Sequence, residues 1–296
     1  MVHYLADWRA RTDSIKMSPE KWNELVDRFN ADSLAEQIKS TGAGYLIFTI
    51  GQNSGYYLSP NKTYERLTGI TNKISKRDLI ADLSDALRKR GLKFIVYLPS
   101  GAPNGDSVAK KKLEWTNGPY PNKEFQQNWE AIIKEWSLRW KTKIDGWWFD
   151  GCYWPNIMYR NETTPNFKSF ADAARAGNRD AVVAFNPGVV HRILSLTPYE
   201  DYTAGENDKP ELISIRRAYN GKVDGKQIHA LSYLGRTWGM GDPRFAPGQI
   251  IEWSKSIIQE GGAITWDTPV QNNGLINFAF MQQLKVLGDD LKKVSR

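Results

Sequence analysis

Apolar runs of strand length alternate with segments of helical period from one end of the chain to the other. The strand-length runs fall at 2–8, 44–50, 93–99, 145–150, 181–186, 202–206, 227–233 and 262–267. Between them, apolar positions recur every three or four residues, the spacing that lines up one face of a helix. Residues 32–40 open with Asp32 and Ser33 as a capped start and bring Leu34, Ala35 and Ile38 together. Residues 77–90 place Leu79, Ile80, Leu83, Ala86 and Leu87 on one face, and Gly91 ends that helix. Segments 124–140, 166–176, 248–260 and 277–292 follow the same period.

About eight βα units, with no linker or low-complexity stretch between them, predict one (β/α)8 barrel of the TIM type. The whole chain, 1–296, is expected to form that single barrel. The long segments 51–76, 100–122 and 206–226 then fall at the C-terminal ends of strands, where barrels keep their sites.

Polar and aromatic residues recur at those strand ends. The first strand ends in Asp7-Trp8-Arg9, the second runs into Gln52-Asn53-Ser54-Gly55-Tyr56-Tyr57, and the fourth ends at Asp150. Asn186, Glu206, His229 with Tyr233, and Trp266-Asp267 close the later ones. Asp150 stands out within Ile144-Asp145-Gly146-Trp147-Trp148-Phe149-Asp150-Gly151-Cys152-Tyr153-Trp154, because an apolar strand does not need a carboxylate at its tip. Indoles around a carboxylate suit a sugar: aromatic faces pack on its C–H surface while the anion meets the anomeric carbon. The plainer account is a capping Asp in a strand-to-helix loop.

Glycoside cleavage needs a second carboxyl group, and Glu206 is the leading partner. It also reads as a surface acid in a loop with Glu200, Asp201 and Asp208; Asp7 and Asp267 are the alternatives. Trp8, Trp148, Trp154, Trp238 and Trp266 are candidate sugar platforms, with Tyr56 and Asp267 on the same rim. Gln52, Asn53, Asn186 and His229 are candidate readers of hydroxyl groups, although His229 reads somewhat better as a satisfied core histidine.

Composition narrows the classes further. The chain carries a net charge of +7 with 12 Trp and 13 Tyr. The basic residues are dispersed among acids, and the short run Lys110-Lys111-Lys112 is a solvated face, so no nucleic-acid partner is expected. No run approaches the roughly 20 apolar residues of a membrane span. Dinucleotide and P-loop glycine motifs are missing, which argues against nucleotide cofactors. The single Cys152 excludes an internal disulfide and a multi-cysteine zinc site, and no histidine pair has ligand spacing, so no metal and no cofactor are expected. A first strand starting directly after Met1 fits a mature or shortened form, periplasmic or secreted, with a signal peptide already removed.

These residues resemble the α-L-fucosidase family of retaining glycosidases, glycoside hydrolase family 29. Asp32 to Pro60, including Ala43-Gly44-Tyr45-Leu46-Ile47-Phe48-Thr49 and Gly55-Tyr56-Tyr57-Leu58-Ser59-Pro60, is similar to that family's second βα unit. Arg77-Asp78-Leu79 through Lys93-Phe94 is similar to the next helix and strand, and Leu275 through Gly288 to the closing helix. Trp148-Phe149-Asp150-Gly151 is similar to the segment with the nucleophilic aspartate, which the resemblance places at Asp150. Gln52-Asn53 stands where the family carries a histidine pair.

The resemblance implies an exo-acting, retaining glycosidase in which Asp150 attacks and Glu206 serves as acid and base. Such an enzyme holds its carboxyl groups about 5–5.5 Å apart. Its partner is an oligosaccharide or polysaccharide. Two other classes stay open: a non-catalytic glycan-binding barrel, favoured by the Gln52-Asn53 departure, and a hydrolase of an acidic polysaccharide, favoured by the basic balance.

Overall fold

The computed structural model describes residues 1–4, 17–116, 122–153, 159–216 and 218–294. Helices α1 (Pro19–Asp27) and α2 (Ala31–Ser40) precede strand β1 (Tyr45–Thr49). Helices α3 (Lys62–Thr68) and α4 (Leu79–Arg88) lead to β2 (Lys93–Pro99). Helices α5 (Ser107–Lys112) and α6 (Lys123–Trp140) lead to β3 (Gly146–Asp150), and α7 (Phe167–Ala174) to β4 (Val182–Phe185). A short hairpin, β5 (Lys222–Val223) and β6 (Lys226–Gln227), precedes β7 (His229–Tyr233). Then come α8 (Pro247–Gln259), β8 (Ala263–Asp267) and α9 (Phe278–Val294).

Strands β1 to β4 form one parallel sheet in sequence order, and β7 pairs in parallel with β8. Parallel neighbours need crossover helices, which the alternating pattern supplies. Helix α4 buries Leu79, Ile80, Leu83, Ala86 and Leu87 as expected, with Asp78 capping its start. Gly91 follows it in the left-handed region (φ 68°). Helix α2 is capped two residues earlier than its pattern indicates, because the Asn30 side chain accepts from the Ser33 N–H.

The expected strands at 2–8 and 202–206 are present as single bridges, Val2–Phe48, Tyr202–Gln227 and Glu206–Leu231. Residues 5–16, which hold the rest of the first expected strand, lie outside the described part. Around 202–206 the reason for the break is Gly205, whose φ of 65° is not extended. A Cβ there would sit 2.0 Å from the His229 carbonyl oxygen, so only glycine fits. The hairpin was hidden inside the predicted 206–226 loop and the run that follows it. Its turn, Asp224-Gly225, has positive φ at both positions (52° and 79°), the type I′ signature.

Side chains alternate along the strands and define two apolar layers. On β3, Trp147 and Phe149 face the helices, meeting Trp140 and Phe170. Trp148 faces the other way and joins Met1, Ile47, Tyr97, Ala184, Tyr202, Ala204 and Leu231 in a compact cluster. The outer layer absorbs much of the indole content: Trp22, Trp129, Trp136, Trp140 and Trp147 are all buried there. Aromatic richness therefore reports the core more than a binding surface.

Candidate active site

The C-terminal ends of the strands enclose a cavity of about 280 Å³. Met1, His3, Gln52, Asn53, Tyr97, Trp148, Asp150, Tyr153, Glu206, Leu231 and Trp238 line it. A larger cavity of about 540 Å³ lies among α2, β8 and α9, but its wall is mostly aliphatic and contains no carboxylate.

Asp150 occupies the tip of β3. Its backbone carbonyl accepts from Ser100 N (2.6 Å), and Gly151 then turns the chain through a φ of 86°. The carboxylate is held from three sides. Tyr97 donates its hydroxyl to Oδ2 at 2.5 Å, Asn186 donates Nδ2–H to Oδ1 at 2.8 Å, and Tyr153 reaches Oδ1 at 3.4 Å. Behind Tyr97, the Gln52 amide donates to the tyrosine oxygen, and the Gln52 Oε1 accepts from Asn53 N at 2.9 Å. This chain of donors ends on Asp150, and each link polarises the next.

Glu206 faces Asp150 across the amide of Asn186, which donates to Glu206 Oε2 at 2.5 Å. The two legs, 2.8 and 2.5 Å, cap the separation of the two bridged carboxylate oxygens at 5.3 Å. Burial, with the Asp150 charge next, raises the Glu206 carboxyl to about 8. The Tyr97 hydroxyl is likewise pushed well above its usual range, first by burial and then by Asp150.

The remaining expected residues divide. Trp148 forms the floor, stacked on Tyr97 (5.3 Å between centroids, 16°) with its indole N–H on Ala204 O. Trp238 and Asn53 line the wall, and Gln52 touches the cavity while its amide serves Tyr97. Asp267 is fully buried and accepts from Gly239 N at 2.6 Å while holding His3 at 2.8 Å. It braces the rim.

Three expectations are corrected. His229 starts β7 at the far end from Asp150; it bonds Thr203 O, Ala204 O and Thr265, and burial lowers it to about 4. It is a neutral core histidine. Trp266 points outward, donating to Ser254 Oγ and packing near Trp253 and Phe245. Tyr56 packs on Trp22 and reaches Met17 O, away from the cavity. Asp7, Trp8 and Trp154 lie outside the described residues.

His3, Tyr97 and Tyr153 were missed. His3 belongs to the first strand-length run, whose rim end was sought at residues 7–9. Tyr97 sits mid-run on β2, and only its register opposite Trp148 brings it to Asp150. Cys152 is buried, its thiol pushed upward by that burial. Among the described residues no group of three or more His, Cys, Asp or Glu is arranged to hold a metal ion. No helix among them is long and apolar enough to cross a membrane.

Parallel strands presenting a bridged carboxyl pair in an aromatic cavity define an α/β protein with a candidate active site at its strand ends. The family model for alpha-L-fucosidase matches residues 16–295, and the chain belongs to that family. A putative alpha-L-fucosidase of Caenorhabditis elegans is 33% identical over 72 residues, covering 24% of this chain and 15% of its own. The endo-fucoidan hydrolase MfFcnA4 from glycoside hydrolase family 107 superposes with a TM-score of 0.75 at 22% identity. That match covers 93% of this chain and 51% of the other. The Thermotoga maritima alpha-fucosidase gives 0.64 at 17% identity, over 98% and 62% of the two chains. These likenesses speak to the fold, and the chain spans about half the length of the first of the two solved structures.

Proposed function

We propose that this chain is a retaining glycoside hydrolase acting on a terminal, fucose-like sugar. The observation that carries the reading is the Asp150–Asn186–Glu206 bridge. Its two legs keep the bridged oxygens no more than 5.3 Å apart, which favours the close carboxyl pair of double displacement over the wider pair that makes room for an inverting enzyme's water. Asp150, held by three donors, attacks the anomeric carbon. Glu206, protonated at neutral pH, gives its proton to the leaving oxygen and afterwards takes one from water.

A cavity of about 280 Å³ lies at the small end of the roughly 300–1,000 Å³ typical of ligand sites, which favours one sugar ring and exo action. Trp238 and His3 on the wall, with Asn53, are the groups best placed to contact that ring. Gln52 and Asn53 in place of the family's histidine pair leave the sugar's identity to experiment.

We read the scaffold as a closed (β/α)8 barrel filling the chain as one domain. Backbone bonds support closure on both open edges of the four-stranded sheet. On one side Val2 N donates to Ile47 O and Thr268 N to Met1 O, linking β1 through the first segment to the end of β8. On the other, Asp201 N donates to Val183 O and Leu231 N to Gly205 O, linking β4 through 201–207 to β7.

Aryl glycosides, including α-L-fucoside and α- and β-galactosides, test the reading with wild type and Asp150→Ala. Turnover lost in the variant supports it; no turnover of any member sinks exo-glycosidase action. The superposition on an endo-fucoidan hydrolase, together with the net charge of +7, favours a second reading, hydrolysis of a fucoidan-type polymer. Release of reducing ends from fucoidan without aryl fucoside cleavage would select it.

A further inference from the structure

Asn186 at the end of β4 was expected to read a sugar hydroxyl, but its hydrogen bonds are already committed. The side chain is fully buried. Its Oδ1 accepts from Gly188 N at 3.1 Å, which fixes the amide's orientation with the nitrogen toward the carboxyl groups. Both protons on Nδ2 are used, one on Asp150 Oδ1 and one on Glu206 Oε2. An amide nitrogen has two protons to give, so none is left for a ligand. The backbone around it is locked as well: Asn186 N donates to Phe149 O, and Asn186 O accepts from Cys152 N, both at 2.8 Å.

We propose that Asn186 is a positioning residue, a two-pronged donor that sets the spacing and mutual orientation of the Asp150 and Glu206 carboxyl groups. The proposal rests on the glycosidase reading above and deepens it. A single sp² nitrogen donating to both acids ties their separation to its own geometry, so neither carboxyl swings away when the other changes charge. A neutral donor does this without a third charge. A lysine or arginine in its place would neutralise the pair and remove the contrast between an anionic nucleophile and a protonated acid.

The same bond has an electrostatic consequence. Donation to Glu206 favours its ionised form and partly offsets the burial and the Asp150 charge that push it upward. The groups facing Glu206 are Asp150 on β3, Tyr97 on β2, Tyr153 beyond β3, and Asp208 on its own loop, itself paired with His191. Across the cavity stands His3. None of these groups is removed when residue 186 changes, so a shift in Glu206 reports the lost donor together with any change in its distance from Asp150.

Removing the donor in Asn186→Ala should lower kcat/KM by roughly 10- to 100-fold, the worth of a hydrogen bond to a charged group. The titration of Glu206 should move upward by about one pH unit. Infrared detection of the protonated carboxyl in the substrate-free protein, assigned with Glu206→Gln, reads that titration independently of turnover. Asn186→Ser provides a second variant if the alanine protein does not fold. Its hydroxyl has one proton and serves at most one acid, so its titration should fall between the others. A Glu206 titration that stays put or moves down while activity falls would overturn the assignment and return Asn186 to a structural or ligand-contacting role. A titration that moves upward supports it even if no glycoside in the panel is cleaved, and that silence would overturn the exo-glycosidase reading alone.

Discussion

His3 and Asp267 meet at 2.8 Å although 264 positions separate them in the chain. The other carboxylate oxygen of Asp267 takes the Gly239 N–H, so one buried side chain ties the first segment, the last strand and the loop that carries Trp238. Asp267→Asn turns one of those acceptors into a donor facing a donor. The expected cost is about 1–3 kcal/mol in urea unfolding, and KM should rise as Trp238 loses its brace. An unchanged midpoint and KM would refute this.

Asp150→Asn should cut kcat/KM by roughly 10⁴-fold or more, the scale seen when an enzymatic nucleophile is removed. The side chain is only partly buried and keeps its shape in this change, so the thermal midpoint should stay near that of wild type. Initial-rate assays with calorimetry on the same samples check both halves.

Activity should fall as pH rises through about 8, because the acid that protonates the leaving oxygen is Glu206 and its proton is lost there. Glu206→Gln should abolish that alkaline limb. It should also harm poor leaving groups far more than activated aryl ones, which depart without help. A pH–rate series with two leaving groups measures both effects; a limb that survives in Glu206→Gln would assign the acid elsewhere.

Stability should fall over the same range. Burial raises Glu200 to about 7 and Glu206 to about 8, both above the 4.5 usual for a glutamate. Their protonated forms suit the fold, so their contribution is complete below about 4.5 and is lost as pH rises through 7 and 8. His229 acts in the opposite sense: it is lowered to about 4, and its neutral form favours the fold above about 6.5, a contribution lost as pH falls. The buried Met1 amino group, lowered to about 6, opposes part of the loss above pH 6. The thermal midpoint should therefore decline between about pH 4.5 and about pH 8, and less steeply in Glu206→Gln. Scanning calorimetry across that range decides it.

Gly205→Ala should cost at least about 2 kcal/mol, since it combines a left-handed backbone with a Cβ 2.0 Å from the His229 carbonyl oxygen. Because Glu206 is the next residue, activity should fall even where the variant stays folded. Soluble yield and chemical denaturation report the first effect and assays the second.

Much of this molecule was legible in the pattern of apolar positions. The runs at 44–50, 93–99, 145–150, 181–186 and 262–267 match β1, β2, β3, β4 and β8 within a residue or two. Asp150 was legible because an acid ending an apolar strand has no packing reason to be there. What failed was direction and parity. The run 227–233 merges part of a hairpin with β7, which made His229 look close to the rim when Tyr233 is the rim residue. Trp266 and Asp267 are adjacent, so they point to opposite faces, and only one can serve the site. Tyr97 becomes visible once register sets it beside Trp148, since a tyrosine in an apolar strand looks like any core aromatic.

The stacking of the indoles has a practical side. Trp136 lies parallel to Trp140 at 6.0 Å, and Trp147 is a further 6.0 Å along, all shielded from solvent behind the strands. Light absorbed by this row passes between neighbouring rings and is emitted from the protein's interior. Intrinsic fluorescence will therefore track unfolding strongly and sugar binding weakly, and among the described residues Trp148 and Trp238 are the cavity emitters whose removal should reduce a ligand-dependent signal.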